Sequence, residues 1–404
     1  MLTQQTIKQI SVKNQEPSWL LKEREESFNQ FSSMPIPSFK YGLGIYTSLS
    51  GLNIDELNLS LSDEFQVKAG KEINILSLNQ AIEAYPEEVK LLFSLAKQKQ
   101  HKLSAFHNAF FNSFLCIVIP RNTELNSGST IHIHKESRLT EAEYILIIAE
   151  ENSKASILET IESSESPQLN PSTPSTKQQL KSQVILINAK ENSKIQYSTL
   201  QNLSKQHYHL SQRHAFLKKD AELNWVDCFL GSKFTQCNTL TTLQGTGSQT
   251  TTNGILYADQ EQCFDIDSAS RHLAGNTSSN MLTRAVLNDK AKAVYRGLVR
   301  INKNARNCRG YQKEETLMLS EEAQSNAVPN LEIENNEVSC THGATMSSID
   351  KEKLFYLSSR GINESTAKKA IIQGFLTPII EKLPSQEHQE AILSSITERL
   401  GAIE

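Results

Sequence analysis

The feature that most constrains the fold is a series of short apolar runs through the middle of the chain. Asn, Ser, Gly, Asp and Lys separate the runs, which is the punctuation typical of strands and turns. Because no amphipathic helical pattern falls between them, a doubly wound α/β sheet is disfavoured. The runs lie at 114–119, 131–133, 144–149, 155–158, 184–187, 195–200, 223–229 and 294–301.

Similar polar phrases open several of these runs, which indicates a structural repeat. The spacings between phrases cluster near ~22–25 residues or twice that, within the range of a β-solenoid coil. One coil cannot bury its apolar face alone, so stacked coils would share a continuous core. The repeat therefore predicts a mainly β solenoid, with a β-sandwich as the main competitor because it also uses many short strands. The phrases are Glu-Asn-Ser-Lys at 151–154 and 191–194, and looser versions at 219–222, 288–291 and 335–337.

Helical patterns lie on both sides of this β-region. Before it, Pro17 opens an apolar-periodic stretch that should end near Pro35, and a second stretch covers 75–114. After it, Asp350 and Asn363 are plausible N-caps of two short helices. A third helix follows, and these terminal helices could cap the open end of a solenoid or dock a partner.

These patterns predict three domains. An α-rich domain covers residues 1–115, a β-core covers 116–348 and a helical domain covers 349–404. Within the core, the segment 163–175 (SSESPQLNPSTPS) is rich in Ser, Pro and Thr. It has too little apolar surface to order itself, so we expect a mobile surface loop.

Composition argues against several classes of protein. Of 404 residues, 41 are Lys or Arg and 45 are Asp or Glu, so the formal net charge is −4. Without a basic block, we expect no binding to nucleic acid. No apolar run approaches the ~20 residues of a bilayer-spanning helix, so no membrane segment is expected. The N-terminal residues lack the pattern of a secretion signal and the six cysteines form no C-x-x-C pair, which together favour free thiols in the cytoplasm.

Common enzyme motifs do not occur in the sequence. The phosphate-binding loop G-x-x-x-x-G-K-[ST] is missing, since Gly70-Lys71 is followed by Glu72. Neither H-E-x-x-H nor G-x-S-x-G occurs. A P-loop ATPase and the commonest hydrolases are therefore disfavoured.

The best local candidate for chemistry is a Cys-Thr-His phrase late in the β-region. If 338–342 is a strand, residues i and i+2 share a face, so Cys340 and His342 lie side by side. A thiolate and an imidazole suit iron or zinc, but two ligands leave a site incomplete and the others would come from another subunit. Val338 shares that face, so Cys340 could instead be simple core packing. Gly343 would allow a tight turn after the strand.

Three other groups of polar residues are weaker candidates. His132 with His134, and His207 with His209, have the same i, i+2 spacing, which ordinary polar residues on a strand also have. The third group could be catalytic or part of a solvated turn; it comprises Asp265, Asp267, Arg271 and His272.

Several phrases between positions 267 and 375 resemble the SufB/SufD family of iron–sulfur cluster assembly proteins. The most specific is LFYLSSRGI at 354–362, with Gly374-Phe375 after it. The EPSWL phrase at 16–20 is similar to the opening of that family. The match is strong over the last third of the chain. The other phrases are LTRAVL at 282–287, AVYRG at 293–297, PNLEI at 329–333 and CTHGAT at 340–345.

Within this family the chain most resembles SufD. The CTHGAT phrase is similar to the SufD form, whereas SufB has a Glu-rich His-Glu-Ala-Thr form. The catalytic cysteine of SufB falls near Glu314 by ungapped alignment, and Cys308 is the nearest thiol. The resemblance therefore implies a non-catalytic scaffold subunit, with ATP hydrolysis in a partner.

The resemblance implies a right-handed parallel β-helix between helical N- and C-terminal regions. It also implies a complex of one SufB, one SufD and two copies of the ATPase SufC. A transient iron–sulfur cluster would be shared with SufB at the strands near His342, with Cys340 as a second thiol. A homodimer could form when SufB is absent. The C-terminal helices would bind SufC through Phe355, Tyr356, Arg360 and Phe375.

Two other functions stay open at this stage. One is a SufB-type scaffold that carries the cluster itself. The other is a β-helix polysaccharide lyase or hydrolase that would use Asp265, Asp267 and Arg271.

Overall fold

The computed structural model describes residues 2–42, 45–49, 51–60, 65–97, 101–125, 130–137, 139–163, 178–383 and 386–401. The described residues form eight α-helices, a 3-10 helix at Ile54–Glu56 and twenty strands. The helices are α1 (Gln4–Lys13), α2 (Ser18–Ser33), α3 (Leu78–Ala84), α4 (Pro86–Ala96), α5 (Lys102–Phe110), α6 (Lys351–Ser359), α7 (Glu364–Ile380) and α8 (Gln386–Gly401). The first ten strands are β1 (Ser38–Gly42), β2 (Ile45–Ser48), β3 (Gln66–Lys68), β4 (Asn74–Leu76), β5 (Ser113–Ile119), β6 (Thr130–Glu136), β7 (Glu141–Ala149), β8 (Lys154–Glu162), β9 (Gln179–Ala189) and β10 (Lys194–Asn202). The others are β11 (His207–Leu217), β12 (Glu222–Phe229), β13 (Phe234–Leu243), β14 (Gln249–Ala258), β15 (Cys263–His272), β16 (Ser278–Leu287), β17 (Lys292–Ile301), β18 (Cys308–Met318), β19 (Gln324–Ile333) and β20 (Val338–Ser348).

Most of the strands form a parallel β-solenoid of about seven turns. From β5 onward, successive strands alternate between two sheets, with the orders β20-β18-β16-β14-β12-β10-β8-β6-β3 and β19-β17-β15-β13-β11-β9-β7-β5-β4. At the N-terminal end of the solenoid, β3 extends one sheet by pairing with β6, and β4 extends the other by pairing with β5, both antiparallel. The mainly β solenoid with flanking helices that the repeats predicted is confirmed.

Each coil is longer than the sequence spacing indicated. Lys194 pairs with Glu222 and Glu222 with Gln249, which are 28 and 27 positions further on. The predicted spacing of ~22–25 residues is wrong, because one coil holds two long strands and two turns. Lys154 pairs with Lys194, 40 positions on, because this coil contains the predicted mobile loop. Positions 164–175 of that predicted loop lie outside the described residues.

The repeated polar phrases form a turn that recurs from coil to coil. Asn152, Asn192 and Asp220 have φ angles of 57°, 57° and 54°. Asn and Asp tolerate this left-handed backbone better than most residues, since their short side chains bond locally. The amide of Asn192 donates to that of Asn152 at 2.9 Å, and Asn152 donates to Asn122 at 3.0 Å. The phrase therefore repeats because each turn stacks on the one before it.

The helices cover the outer faces of the two sheets and leave the last coil uncovered. Helices α2 to α5 pack on β7, β9 and β11 through a core that includes Phe106, Phe110 and Tyr144. Helices α7 and α8 pack on β12, β14 and β16, with Ile372 and Leu376 in that core. Of the two roles predicted for the C-terminal helices, capping the solenoid end is therefore wrong.

Helix boundaries in the C-terminal region follow the predicted caps. The side chain of Asp350 accepts from the backbone N–H of Glu352 at 2.9 Å, and that of Asn363 accepts from Thr366 at 2.8 Å. Helix α1 was not predicted from the sequence. Among the described residues, no helix combines the length and the apolar content needed to cross a bilayer.

Candidate functional site

The solenoid ends on two strands that have a free edge. Strands β19 and β20 are the last members of the two sheets, so one edge of each has no neighbouring strand in the described part of the chain. Ile333 and Met346 are in register with the buried residues Ile301 and Thr316, but they are 42% and 49% exposed. The interior of the solenoid is therefore open at this end. An unpaired edge of this length is a ready template for a strand of another chain.

Cys340 and His342 both lie on β20, within this open end. They are in register with Gly310 and Gln312 of β18, which are buried inside the solenoid. Both side chains therefore stand on the interior side of the last coil. Cys340 is half-buried, whereas His342 is exposed and accessible to a second chain. Strand β20 continues to Ser348, so the tight turn predicted at Gly343 is wrong.

The Cys340 thiol occupies space that only a glycine at position 310 allows. A Cβ atom at Gly310 would lie 3.0 Å from Cys340 Sγ and 2.7 Å from Val299 Cγ1. Burial raises the pKa of the Cys340 thiol. A hydrogen bond with the Gly310 backbone lowers that pKa, and the neighbouring Cys308 raises it further. The thiol is therefore protonated at neutral pH, and a metal must displace that proton to bind.

Cys308 lies one coil further inside and belongs to a buried polar chain. Its Sγ atom is 3.1 Å from Thr277 Oγ1, which is 2.7 Å from His272 Nδ1. His272 Nε2 contacts Ser279 Oγ at 2.9 Å. Burial lowers the pKa of His272 to about 4, so its imidazole is neutral at physiological pH. Cys308 and His272 therefore both have polar partners inside the solenoid.

The open end brings a thiol and an imidazole onto the same face of β20. Within the described residues, no three His, Cys, Asp or Glu side chains converge closely enough to hold a metal ion. Cys340 and His342 supply one thiol and one imidazole, which are ligand types of iron–sulfur chemistry. A cluster takes about four protein ligands, so these two residues alone would not complete a site.

The Asp265 group fastens the N-terminal hairpin to the solenoid. Arg296 donates from Nη2 to Asp265 Oδ1 at 2.8 Å and from Nη1 to Asp267 Oδ2 at 2.6 Å. Tyr41, from the β1–β2 hairpin, donates to Asp265 Oδ2, and the ring of Tyr41 lies 3.8 Å from the Arg296 guanidinium. Arg271 is exposed on the outer face. The Asp265 carboxylate is thus fully buried beneath the hairpin, out of reach of an extended sugar chain.

The two predicted histidine pairs have different environments. His132 and His134 are half-buried on β6. His207 and His209 are buried on β11, and burial lowers the pKa of His207 to about 4 and that of His209 well below its ordinary value. Among the residues that the structure describes, neither pair is joined by the further ligands that a metal site needs.

Three of the four predicted docking residues form an exposed patch on and just after α6. Phe355 and Tyr356 are 76% and 58% exposed, and no described residue of α6 is buried. The Arg360 guanidinium lies 5.3 Å from the Tyr356 ring. Phe375 is placed differently: its ring is half-buried 5.1 Å from the Arg284 guanidinium, and it packs against the core under α7. Phe375 therefore anchors α7 to the solenoid.

One residue near the open end, named above only as the place where the SufB cysteine aligns, was not predicted to be a buried titratable group. Glu314 is in register with Ala344 of β20 and is 3% exposed. Burial raises the pKa of Glu314 to about 7, against a hydrogen bond from Thr316 that lowers it. No local pattern predicts this burial, because the inward side of β18 becomes known only from its register with β16 and β20.

Comparison with known families decides the assignment. Residues 132–375 match the family model described as SUF system FeS cluster assembly, SufBD core domain. The chain belongs to the SufBD family. The match extends from β6 into α7 and includes both Cys340 and His342. The family resemblance predicted from the sequence, and with it a role in iron–sulfur cluster assembly, is confirmed.

Curated relatives extend the similarity over nearly the whole chain. An iron–sulfur cluster assembly SufBD family protein of Staphylococcus saprophyticus is 27% identical over 434 aligned residues, which cover 95% of this chain and 90% of the relative. Proteins of the same description from Staphylococcus haemolyticus and Staphylococcus aureus are each 26% identical with the same coverage. These names do not separate SufB from SufD, so the SufD subtype stays a prediction.

Proposed function

We propose that this chain is a SufD-like scaffold subunit whose open solenoid end docks onto a SufB-like paralogue. The observation that carries the proposal is the pair of uncovered strands, β19 and β20, which leave Ile333 and Met346 exposed at interior positions. A solenoid end of this kind needs a cap, and an edge strand pairs readily with another. The end of a second solenoid supplies both the cap and the pairing strand. When the paralogue is absent, the same end pairs two copies of this chain.

The nascent cluster forms at this junction, where it is the product and not a resident cofactor. His342 is the ligand or proton-handling group of this chain, and Cys340 is its second thiol. The paralogue supplies the other ligands, since the described residues of this chain do not complete a set. Transfer of the finished cluster is favoured because neither subunit alone holds all its ligands.

A SufC-like ATPase docks on the exposed patch formed by Phe355, Tyr356 and Arg360. The sequence has no P-loop, so the energy of ATP hydrolysis has to come from another subunit. Large exposed aromatic side chains on a helix with no buried residue are typical of an interaction surface. We place the complex in the cytoplasm and retain the division into domains at 1–115, 116–348 and 349–404.

The test is co-expression of this chain with its SufB-like paralogue and the ATPase, as wild type and as His342→Ala. The matched control is His134→Ala, a half-buried histidine on β6, near the other end of the solenoid. Complex formation is measured by light scattering, and cluster content by visible absorbance with iron and sulfide determination. We expect His342→Ala to abolish cluster formation while the complex still assembles.

Other outcomes would contradict separate parts of the proposal. Normal cluster content in the His342→Ala complex would remove the site assignment. Failure of the wild-type subunits to associate would remove the scaffold role. A cluster loaded on this chain without the paralogue would indicate a SufB-type scaffold instead.

A further inference from the structure

A buried carboxyl group lies one coil below the open end. Glu314 of β18 is 3% exposed, so its side chain lies between the two sheets. Its Oε1 atom accepts a hydrogen bond from Thr316 Oγ1 at 3.1 Å. Its Oε2 atom is buried and has no hydrogen-bond partner in the described part of the chain. One side of this carboxyl group is therefore satisfied and the other is not.

The described elements around Glu314 bring no compensating charge. Its neighbour in register on β16 is Thr283, and its neighbour on β20 is Ala344. From the opposite sheet, Tyr295 of β17 interacts with it electrostatically, and Ser325 of β19 contacts Thr316 at 3.1 Å. Burial raises the pKa of Tyr295 to about 12, so the phenol is neutral. A buried carboxylate without a cation is strongly unfavourable, which is why burial raises the pKa of Glu314.

The last coil covers Glu314 with short side chains. Ala344 of β20 lies above it, and Ala327 of β19 is in register with Tyr295 on the opposite side. Ala344 is exposed and Ala327 is half-buried. Stacked sheets lie ~10 Å apart and successive strands ~4.8 Å apart. Two alanines do not fill that width, so a long side chain entering from the open end reaches the layer of Glu314.

We propose that the partner docking on the open end inserts a basic side chain, lysine or arginine, between Ala327 and Ala344 to pair with Oε2 of Glu314. This inference rests on the proposed docking function and adds the chemistry that the partner surface must present. The lysine and arginine side chains carry hydrogen-bond donors and no acceptors. The acceptors that they meet here are Oε2 and the hydroxyls of Thr316 and Ser325. A divalent metal ion fits this place less well, because no three His, Cys, Asp or Glu side chains converge among the described residues.

The experiment measures the affinity between this chain and its SufB-like paralogue by calorimetry at pH 6 and pH 8. Wild type, Glu314→Gln and Glu315→Gln are compared. Glu315 is the matched control, because it is the next residue but faces outward to Arg284 at 2.7 Å and Lys313 at 2.7 Å. Pairing with a cation releases the proton of Glu314, so wild-type affinity should rise with pH through about 7.

Glu314→Gln should remove this pH dependence and weaken binding at pH 8 about 30-fold, whereas Glu315→Gln should behave as wild type. The isolated Glu314→Gln chain should be at least as stable as wild type at pH 8, because the substitution removes an uncompensated buried charge. A variant that stabilises the free chain yet weakens the complex identifies an interface residue.

Equal affinity of Glu314→Gln and wild type at pH 8 would overturn the inference and leave the docking function intact. A destabilised Glu314→Gln chain would also overturn it, by showing a structural role. Titration with Mn²⁺ alone gives a further arm: binding to wild type but not to Glu314→Gln would replace the basic side chain with a metal ion. If wild type does not associate at either pH, the docking function itself fails.

Discussion

Replacing Lys181 with methionine tests whether the solenoid interior depends on paired charges. Lys181 is fully buried on β9, with Nζ 2.7 Å from Glu143 Oε2 and 3.0 Å from Glu141 Oε2. Lys135 adds a weaker contact, 3.4 Å from Glu143 Oε1. Methionine keeps the length of the side chain but removes its charge, so two buried carboxylates lose their main cation.

The expected cost follows from burial. Removing one partner of a buried pair costs about 3–5 kcal/mol, and since Lys135 remains beside Glu143 we expect the lower half of that range. The matched control is Lys154→Met. Lys154 and Glu124 are as close, at 2.8 Å, but their side chains are 56% and 66% exposed, so water screens the pair and little stability should be lost.

The assay is urea denaturation at pH 7, followed by tryptophan fluorescence, because Trp225 is fully buried in the same interior. Burial alone would raise the pKa of Glu143, but Lys181 and Lys135 outweigh it and lower that pKa. The stabilisation by the charged Glu143 is present above the ordinary carboxyl pKa and is lost as the pH falls through the pKa of the folded state. The free energies of unfolding of wild type and Lys181→Met, plotted against pH, should therefore converge below about pH 4.5. Equal losses for Lys181→Met and Lys154→Met would refute the reasoning.

Two further predictions concern the helices and the buried histidines. The double variant Phe355→Ala/Tyr356→Ala should abolish ATPase binding in a pull-down without lowering the melting temperature, because both side chains are exposed; unchanged binding would remove α6 from that interface. Burial, with a smaller effect of Arg24, lowers the pKa of His107 to about 3, so the unfolded state binds its proton first and stability should fall from pH 6.5 to 4. The free energy of unfolding of His107→Gln should then depend less steeply on pH, and parallel curves for variant and wild type would contradict this.

The solenoid was predictable because its turns and half of its strands carry local signals. Asn152 and Asn192 occupy the same left-handed turn on successive coils, so the phrase around them repeats. Strands such as β14 were missed because part of their inward face is polar or glycine. Thr250 is buried there and donates to the Leu223 carbonyl at 2.9 Å, which replaces the apolar signal by a hydrogen bond between coils.

The candidate site was predictable only as a pair. Alternation along a strand places Cys340 and His342 on one face without any knowledge of the fold. That this strand is the last of its sheet, and that Glu314 lies beneath it, depends on pairing between residues about 30 positions apart. No local pattern encodes that register. The place of Phe375 under α7 was not predictable for the same reason, since its contact with Arg284 joins distant parts of the chain; its role in partner binding stays a prediction.

Hydrogen–deuterium exchange of this chain, alone and with its SufB-like paralogue, tests the docking of the open end most directly. The amides of β19 and β20 should exchange faster in the isolated chain than those of β9, which pairs on both sides. On addition of the paralogue, exchange within β19 and β20 should slow strongly while that of β9 stays unchanged. A complex that forms with β19 and β20 still exchanging at their original rates would contradict the account.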